Sequence, residues 1–222
     1  MTNQDIYTQE NPEGHIDDEE CYYSLEDDSP ESGPEQQHRG TKVPLLLLLK
    51  LITTPVEGWK SLKRSQCTPQ KFAWECFYPL SLLAALSQTS ALFYEADISV
   101  ATVITLAVIV FMTLLLGNFG TILCCELFLP KGDRNKVSTP FGRVFVMAMV
   151  CTLAISVILW NLLPPIEPLI IFVPIYTIYL IVKGVKYLRV PEKSAGKVSI
   201  ILSALVIGLP MILYTIFTEL IP

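Results

Sequence analysis

A chain of 222 residues has the length of one or two soluble domains, but 51% hydrophobic residues against 17% charged excludes an ordinary soluble class. The formal charge of −5 is unevenly placed: residues 1–40 hold twelve of the 21 acids and one base, Arg39, which leaves a basic, strongly apolar body. Both histidines, His15 and His38, precede that body, so it lacks the commonest proton shuttle and metal ligand.

In chain order, residues 1–40 come first. They are rich in Glu, Asp, Gln, Pro and Ser and cannot bury enough apolar surface to offset their ordering entropy, so a disordered acidic cytoplasmic tail is expected. It is either a solubilising extension or a docking element around Cys21, Tyr22, Tyr23 and Leu25, where apolar groups interrupt the acids.

Residues 41–71 read as amphipathic lead-in helices. The stretch LLLLLKLITTPVEGWK begins at Leu45, and Val43 to Thr54 would extend only ~18 Å as a helix, short of a ~30 Å hydrocarbon core. A cleavable export signal does not fit: acids precede it, Lys50 interrupts it, and no small-residue cleavage site follows. Thr54-Pro55-Val56-Glu57 predicts a capping box with proline at the first helical position. In the helix that follows, Val56, Trp59 and Leu62 share a face. Trp59, Lys60, Lys63 and Arg64 are then candidate membrane-interface anchors, the bases contributing ~1 kcal/mol each on anionic headgroups. The alternative is a buried strut packed under the bundle.

The remainder, residues 72–222, predicts an all-α polytopic bundle of five transmembrane helices at about 72–93, 98–129, 141–163, 166–187 and 198–220. Thr68-Pro69 and Thr139-Pro140 are start signals, and Pro164-Pro165 marks a hairpin between the third and fourth spans. The second span would measure ~48 Å as one helix. Gly117, Asn118 and Gly120 interrupt the run, so a kink there or an extension of the helix into the cytoplasm is expected, and Pro79, Pro174 and Pro210 are expected to kink spans one, four and five.

Every Lys and Arg falls before span one, between spans two and three, or between spans four and five. The opposite loops and the C-terminus offer only Glu95, Asp97, Glu167 and Glu219, so the positive-inside rule predicts a cytoplasmic N-terminus and a C-terminus across the membrane. An intramembrane ionisable group is a functional candidate by default. Glu75, Glu126 and Arg143, near the cytoplasmic ends of their spans, and the deeper Asn118 form a candidate polar site that either anchors the bundle or lines a cavity.

The chemistry of enzymes is missing from the pattern. There is no G-x-S-x-G, H-E-x-x-H or P-loop, the six cysteines have no repeated C-x-x-C spacing, and topology already accounts for the basic residues. No catalytic residue, metal, cofactor or nucleic-acid partner is predicted.

Taken in order, TPVEGW after a leucine-rich lead-in, a first span entering through FYPL, a third beginning near FGRVFVMAM, the LLPPIEP hairpin, YTIYLIVKGVKYLRVP and a final LIP resemble the Yip family. These are five-span Ypt/Rab-interacting membrane proteins and their prokaryotic relatives. The resemblance covers roughly residues 44–222, is closer to the prokaryotic branch, and rests mainly on Pro55, Trp59, Pro79, Pro164-Pro165 and Tyr176. It implies a membrane scaffold with no catalytic residue; in eukaryotic secretory membranes the family is associated with small GTPases and vesicle traffic. The expected function is a non-enzymatic organiser of partner proteins or lipids at the cytoplasmic face of the cell membrane. Expected partners are membrane lipids and an unidentified membrane or cytoplasmic protein, with homo-oligomerisation left open. The rival reading is a small transporter or lipid-handling protein using Glu75, Asn118 and Glu126.

Overall fold

The computed structural model describes residues 44–94, 98–163 and 172–220. The acidic tail, the turn at 95–97 and the Pro164-Pro165 hairpin with Glu167 lie outside the described residues. The described residues are helical, with no strand among them. In chain order the helices are α1 (Pro44–Thr53), α2 (Pro55–Arg64), α3 (Pro69–Tyr94), α4 (Val100–Phe128), α5 (Lys131–Val137), α6 (Pro140–Leu162), α7 (Phe172–Val185) and α8 (Glu192–Leu220).

Four of these, α3, α4, α6 and α8, are long and apolar enough to cross a membrane. The fourth predicted span is described only from Phe172, as the 14 residues of α7 followed by a 3₁₀ turn at Lys186–Leu188. The short basic helix α5 has no counterpart among the predicted elements. It is tied to α8 by Ser194 Oγ, which donates to the buried Asp133 Oδ1 at 3.0 Å.

The start signals Thr68-Pro69 and Thr139-Pro140 act as expected, and Ser99 caps a third helix in the same way. Thr68, Ser99 and Thr139 accept side-chain caps from the backbone N–H of Lys71, Thr102 and Gly142 respectively. Thr54 does not form the predicted capping box. Its hydroxyl donates back to the Lys50 carbonyl at 3.0 Å, and Glu57 pairs with Lys50 Nζ at 3.3 Å. Lys50 thus draws both members of the box toward the end of α1, where its carbonyl also accepts the Thr54 N–H at 2.8 Å.

Proline is accommodated differently in α3 and α8. Pro79 has no N–H for the Glu75 carbonyl, and α3 widens into a π-turn at Ala73–Phe77, where Tyr78 N–H bonds five residues back to the Ala73 carbonyl. Pro210 sits within a continuous α8. Of the two expectations for α4, the break at the glycines does not occur: 29 residues run as one helix, ~43 Å long. Its glycines are contact points, because a Cβ at Gly117 would lie 2.8 Å from Pro210 Cγ and one at Gly120 would lie 2.5 Å from Leu209 Cδ2. Small residues are how helices approach closely where lipid removes the hydrophobic drive to associate.

The centre of the bundle is α6, where residues 144–151 are buried without a break. A helix apolar all round belongs in the middle of its neighbours. At one end, Asn161 of α6 donates to Ser87 Oγ at 2.9 Å, and Ser90 Oγ donates to the Asn161 carbonyl at 2.8 Å, joining α6 to α3.

The lead-in helices pack on each other at van der Waals contact. A Cβ at Gly58 would fall 2.3 Å from Leu51 Cα, a backbone atom that cannot move aside. Gly58→Ala should therefore lower thermal stability, because overpacking costs ~1–3 kcal/mol and outweighs the ~1 kcal/mol gain in helix propensity. Thermal unfolding of the purified protein in detergent checks this; an unchanged or raised Tm would refute the close contact.

Candidate functional site

The lead-in packs against the bundle with its apolar side chains inward. Leu47, Leu48 and Leu51 of α1 and Trp59 and Leu62 of α2 are all buried. Trp59 is 0% exposed, so its ring is inside the protein and not at a headgroup surface. Val56 is 53% exposed and does not share the inward face, which is formed by Gly58, Trp59 and Leu62.

Three contacts seat the indole. It stacks on Phe145 of α6 with centroids 4.5 Å apart and planes at 15°. Its Nε1–H donates to the Leu180 carbonyl of α7 at 3.1 Å, which satisfies the one polar atom that burial would otherwise strand. Room for both rings is left by Gly184, where a Cβ would lie 2.4 Å from Phe145 Cε2 and 2.6 Å from Trp59 Cε2. Two tyrosines complete the attachment: Tyr176 OH donates to the Ile52 carbonyl, and Tyr187 OH donates to the Val56 carbonyl at 3.2 Å.

The same seating turns the bases of α2 outward. Lys60, Lys63 and Arg64 are exposed, as are Lys186 and Arg189 after α7. Lys63 Nζ lies 5.9 Å from the centroid of the Tyr187 ring. Partial burial, and then the Arg189 charge, hold its ammonium below the ordinary lysine value. Lys63 and Arg189 therefore belong to one electropositive surface on a fixed support.

The other predicted site residues are not assembled with one another. Glu75 is exposed and pairs with Lys71 at 3.8 Å, one helical turn earlier. Glu126 is also exposed; its Oε1 accepts from Ser138 Oγ at 3.4 Å, and its carbonyl accepts from Arg134 Nη1 at 3.3 Å. Arg143 is exposed and makes no ion pair among the described residues. Asn118 alone is inside, 1% exposed, and neither amide atom has a partner among the described residues. No group of three or more metal-ligating side chains is gathered among the described residues.

Phe145, Leu180, Gly184, Tyr176 and Tyr187 were not singled out as site residues from the sequence, although Tyr176 was noted in the family resemblance. A lone glycine in the apolar run LIVKGVKY and a tryptophan needing an acceptor were the available signals.

Long apolar helices around one that is largely buried, with charge confined to their ends, define an integral multi-pass membrane protein. The family model for the Yip1 domain matches residues 49–215, and the chain belongs to that family. The match takes in the second half of α1, all of α2 and the bundle as far as Thr215, so the Trp59 seat lies within the family's unit. No curated protein and no solved structure matches the chain.

Trp59→Ala should cost ~3–5 kcal/mol through loss of ring packing, and Trp59→Phe about 1 kcal/mol through loss of the hydrogen bond to Leu180. Chemical unfolding monitored by tryptophan-independent far-UV ellipticity checks the order Ala, then Phe, then wild type. Equal stability of the three would show that the seat contributes nothing.

Proposed function

We propose that this protein is a non-enzymatic scaffold of the Yip family, with five spans, that organises partner proteins at the cytoplasmic face of the cell membrane. The observation that carries the reading is the Trp59 seat. It fixes a short helix across the end of the bundle and leaves Lys60, Lys63, Arg64 and Arg189 free to engage an acidic protein surface or anionic headgroups. The acidic residues 1–40 lie outside the matched domain and supply a separate docking segment on the same side. Glu75 and Glu126, exposed and engaged with Lys71 and Ser138, fit anchoring better than a shared inner cavity, which favours the scaffold over the transporter.

The chain resembles the prokaryotic branch, and its bases put the N-terminus in the cytoplasm and the C-terminus across the membrane. In intact cells, a membrane-impermeant maleimide should label a single cysteine placed at Pro222 and should leave Cys67 unlabelled until the membrane is opened. The reverse pattern would invert the topology and remove the cytoplasmic role.

In-cell crosslinking and mass spectrometry of the tagged protein, with and without residues 2–40, tests the scaffold itself. A stoichiometric partner should be recovered with the full chain, and Lys60→Glu with Lys63→Glu should deplete it about tenfold while leaving the protein's abundance unchanged. Deletion of residues 2–40 should also deplete it. A partner recovered equally from all forms would sink the proposal.

A further inference from the structure

A cleft of about 460 Å³ opens among α3, α4, α6, α7 and α8, within the ~300–1,000 Å³ of small-molecule sites. It shares no residue with Glu75, Asn118, Glu126 or Arg143, nor with the Trp59 seat. Leu114, Leu153 and Ile207 wall its apolar interior, and Pro210 of α8 borders it. The rim is apolar and aromatic, and Met211 (65% exposed) and Trp160 (44% exposed) open onto the outer surface of the bundle. Other large apolar side chains on the same helix as Met211, Ile212 and Ile216 among them, are also exposed, as on a helix surface that meets acyl chains.

Two observations point to an occupant. The first is Thr113, which lines the cleft, is 5% exposed, and has no hydrogen-bond partner for Oγ1 among the described residues. Thr105, Thr121, Thr177, Thr215 and Thr218 each return their hydroxyl to the carbonyl four residues back, the ordinary resolution for threonine in an apolar helix. Thr113 does not, and a buried hydroxyl left unpaired costs about 1–3 kcal/mol. The second is charge. The polar residues lining the cleft include Gln88, Ser156 and Asn161, and no Asp, Glu, Lys or Arg lines it among the described residues. Asn161 is held in place there by its bond to Ser87. A charged headgroup would be stranded without a counter-ion at this depth, whereas a neutral oxygen would accept the Thr113 proton.

We propose that this cleft binds a neutral lipid drawn laterally from the bilayer, its apolar body against Leu114, Leu153 and Ile207 and a hydroxyl or carbonyl oxygen accepting from Thr113. The site is independent of the scaffold surface at the base-rich end, and adds a lipid-sensing or lipid-holding capacity to the bundle.

The test uses the full chain in phosphatidylcholine nanodiscs containing a trace of diazirine-bearing diacylglycerol, with a diazirine sterol run in parallel to separate the two sources of the same chemistry. Labelling should map to residues 153–161 and 207–215. Excess unlabelled neutral lipid of the same class should suppress it about tenfold, and phosphatidic acid should not. Filling the cleft by Leu153→Trp, or from the exposed rim by Met211→Trp, should abolish saturable labelling. Thr113→Val, which keeps the volume and removes the unpaired hydroxyl, should weaken competition about three- to tenfold while Tm stays the same or rises. Unsaturable labelling spread over outward residues such as Ile104, Val108 and Leu123, labelling indifferent to both tryptophan variants, or equal competition by phosphatidic acid would overturn the proposal. Unchanged affinity in Thr113→Val would overturn the role of the hydroxyl.

Discussion

The Trp59 indole can be buried only because two other helices make room for it at once. Gly184 of α7 supplies the space, Phe145 of α6 supplies the opposing face, and the Leu180 carbonyl takes the N–H. Remove the acceptor and a polar atom is stranded in a dry contact; add one carbon at position 184 and two aromatic rings collide. The lead-in helices have too little length to hold themselves at the bundle, since each has only ten residues. Their position is set by this seat and by the tyrosine bonds to Ile52 and Val56. The outward direction of Lys60, Lys63 and Arg64 follows from the inward direction of Trp59 on the same helix.

Elsewhere the bundle is held by the means open to helices surrounded by lipid, where burying another leucine gains little. The long pair α4 and α8 meets at Gly117 against Pro210 and Gly120 against Leu209, while Thr121 Oγ1, bonded mainly to its own helix, also approaches the Leu205 carbonyl at 3.5 Å. Thr152 and Thr177 pair their hydroxyls at 3.4 Å between α6 and α7. The Ser87, Ser90 and Asn161 set closes the opposite end from the Trp59 seat. Close backbones and a few polar links thus occupy both ends of α6, and the cleft lies near the end where Asn161 sits.

Hydropathy and punctuation made much of this architecture readable before the structure. The boundaries of α3, α6 and α8 lie near the apolar runs, and Thr68-Pro69 and Thr139-Pro140 start helices because a threonine cap and an N-terminal proline satisfy the same local need wherever they occur. What failed depended on partners outside the local motif. Gly117 and Gly120 look like breaks until Pro210 and Leu209 are seen against them. Thr54 and Glu57 look like a capping box until Lys50 competes for both. Trp59 among lysines looks like an interfacial anchor, and nothing local reveals that a glycine 125 positions later receives it. The candidate polar residues were legible as residue types but not as a group, because helix rotation decides which carboxylates face each other and periodicity on so apolar a helix carries little rotational signal.

The narrowness of the Gly184 slot also limits how α7 can move. One turn away on the same face stand Leu180 and Leu188, both buried. A slip of α7 by one turn, ~5.4 Å, would drive an isobutyl group into the indole in place of a hydrogen. Sliding along the helix axis is therefore closed to this element as long as Trp59 is seated. Any rearrangement between α2 and α7 must either lift the tryptophan out, breaking its bond to Leu180, or carry the two helices together as one piece.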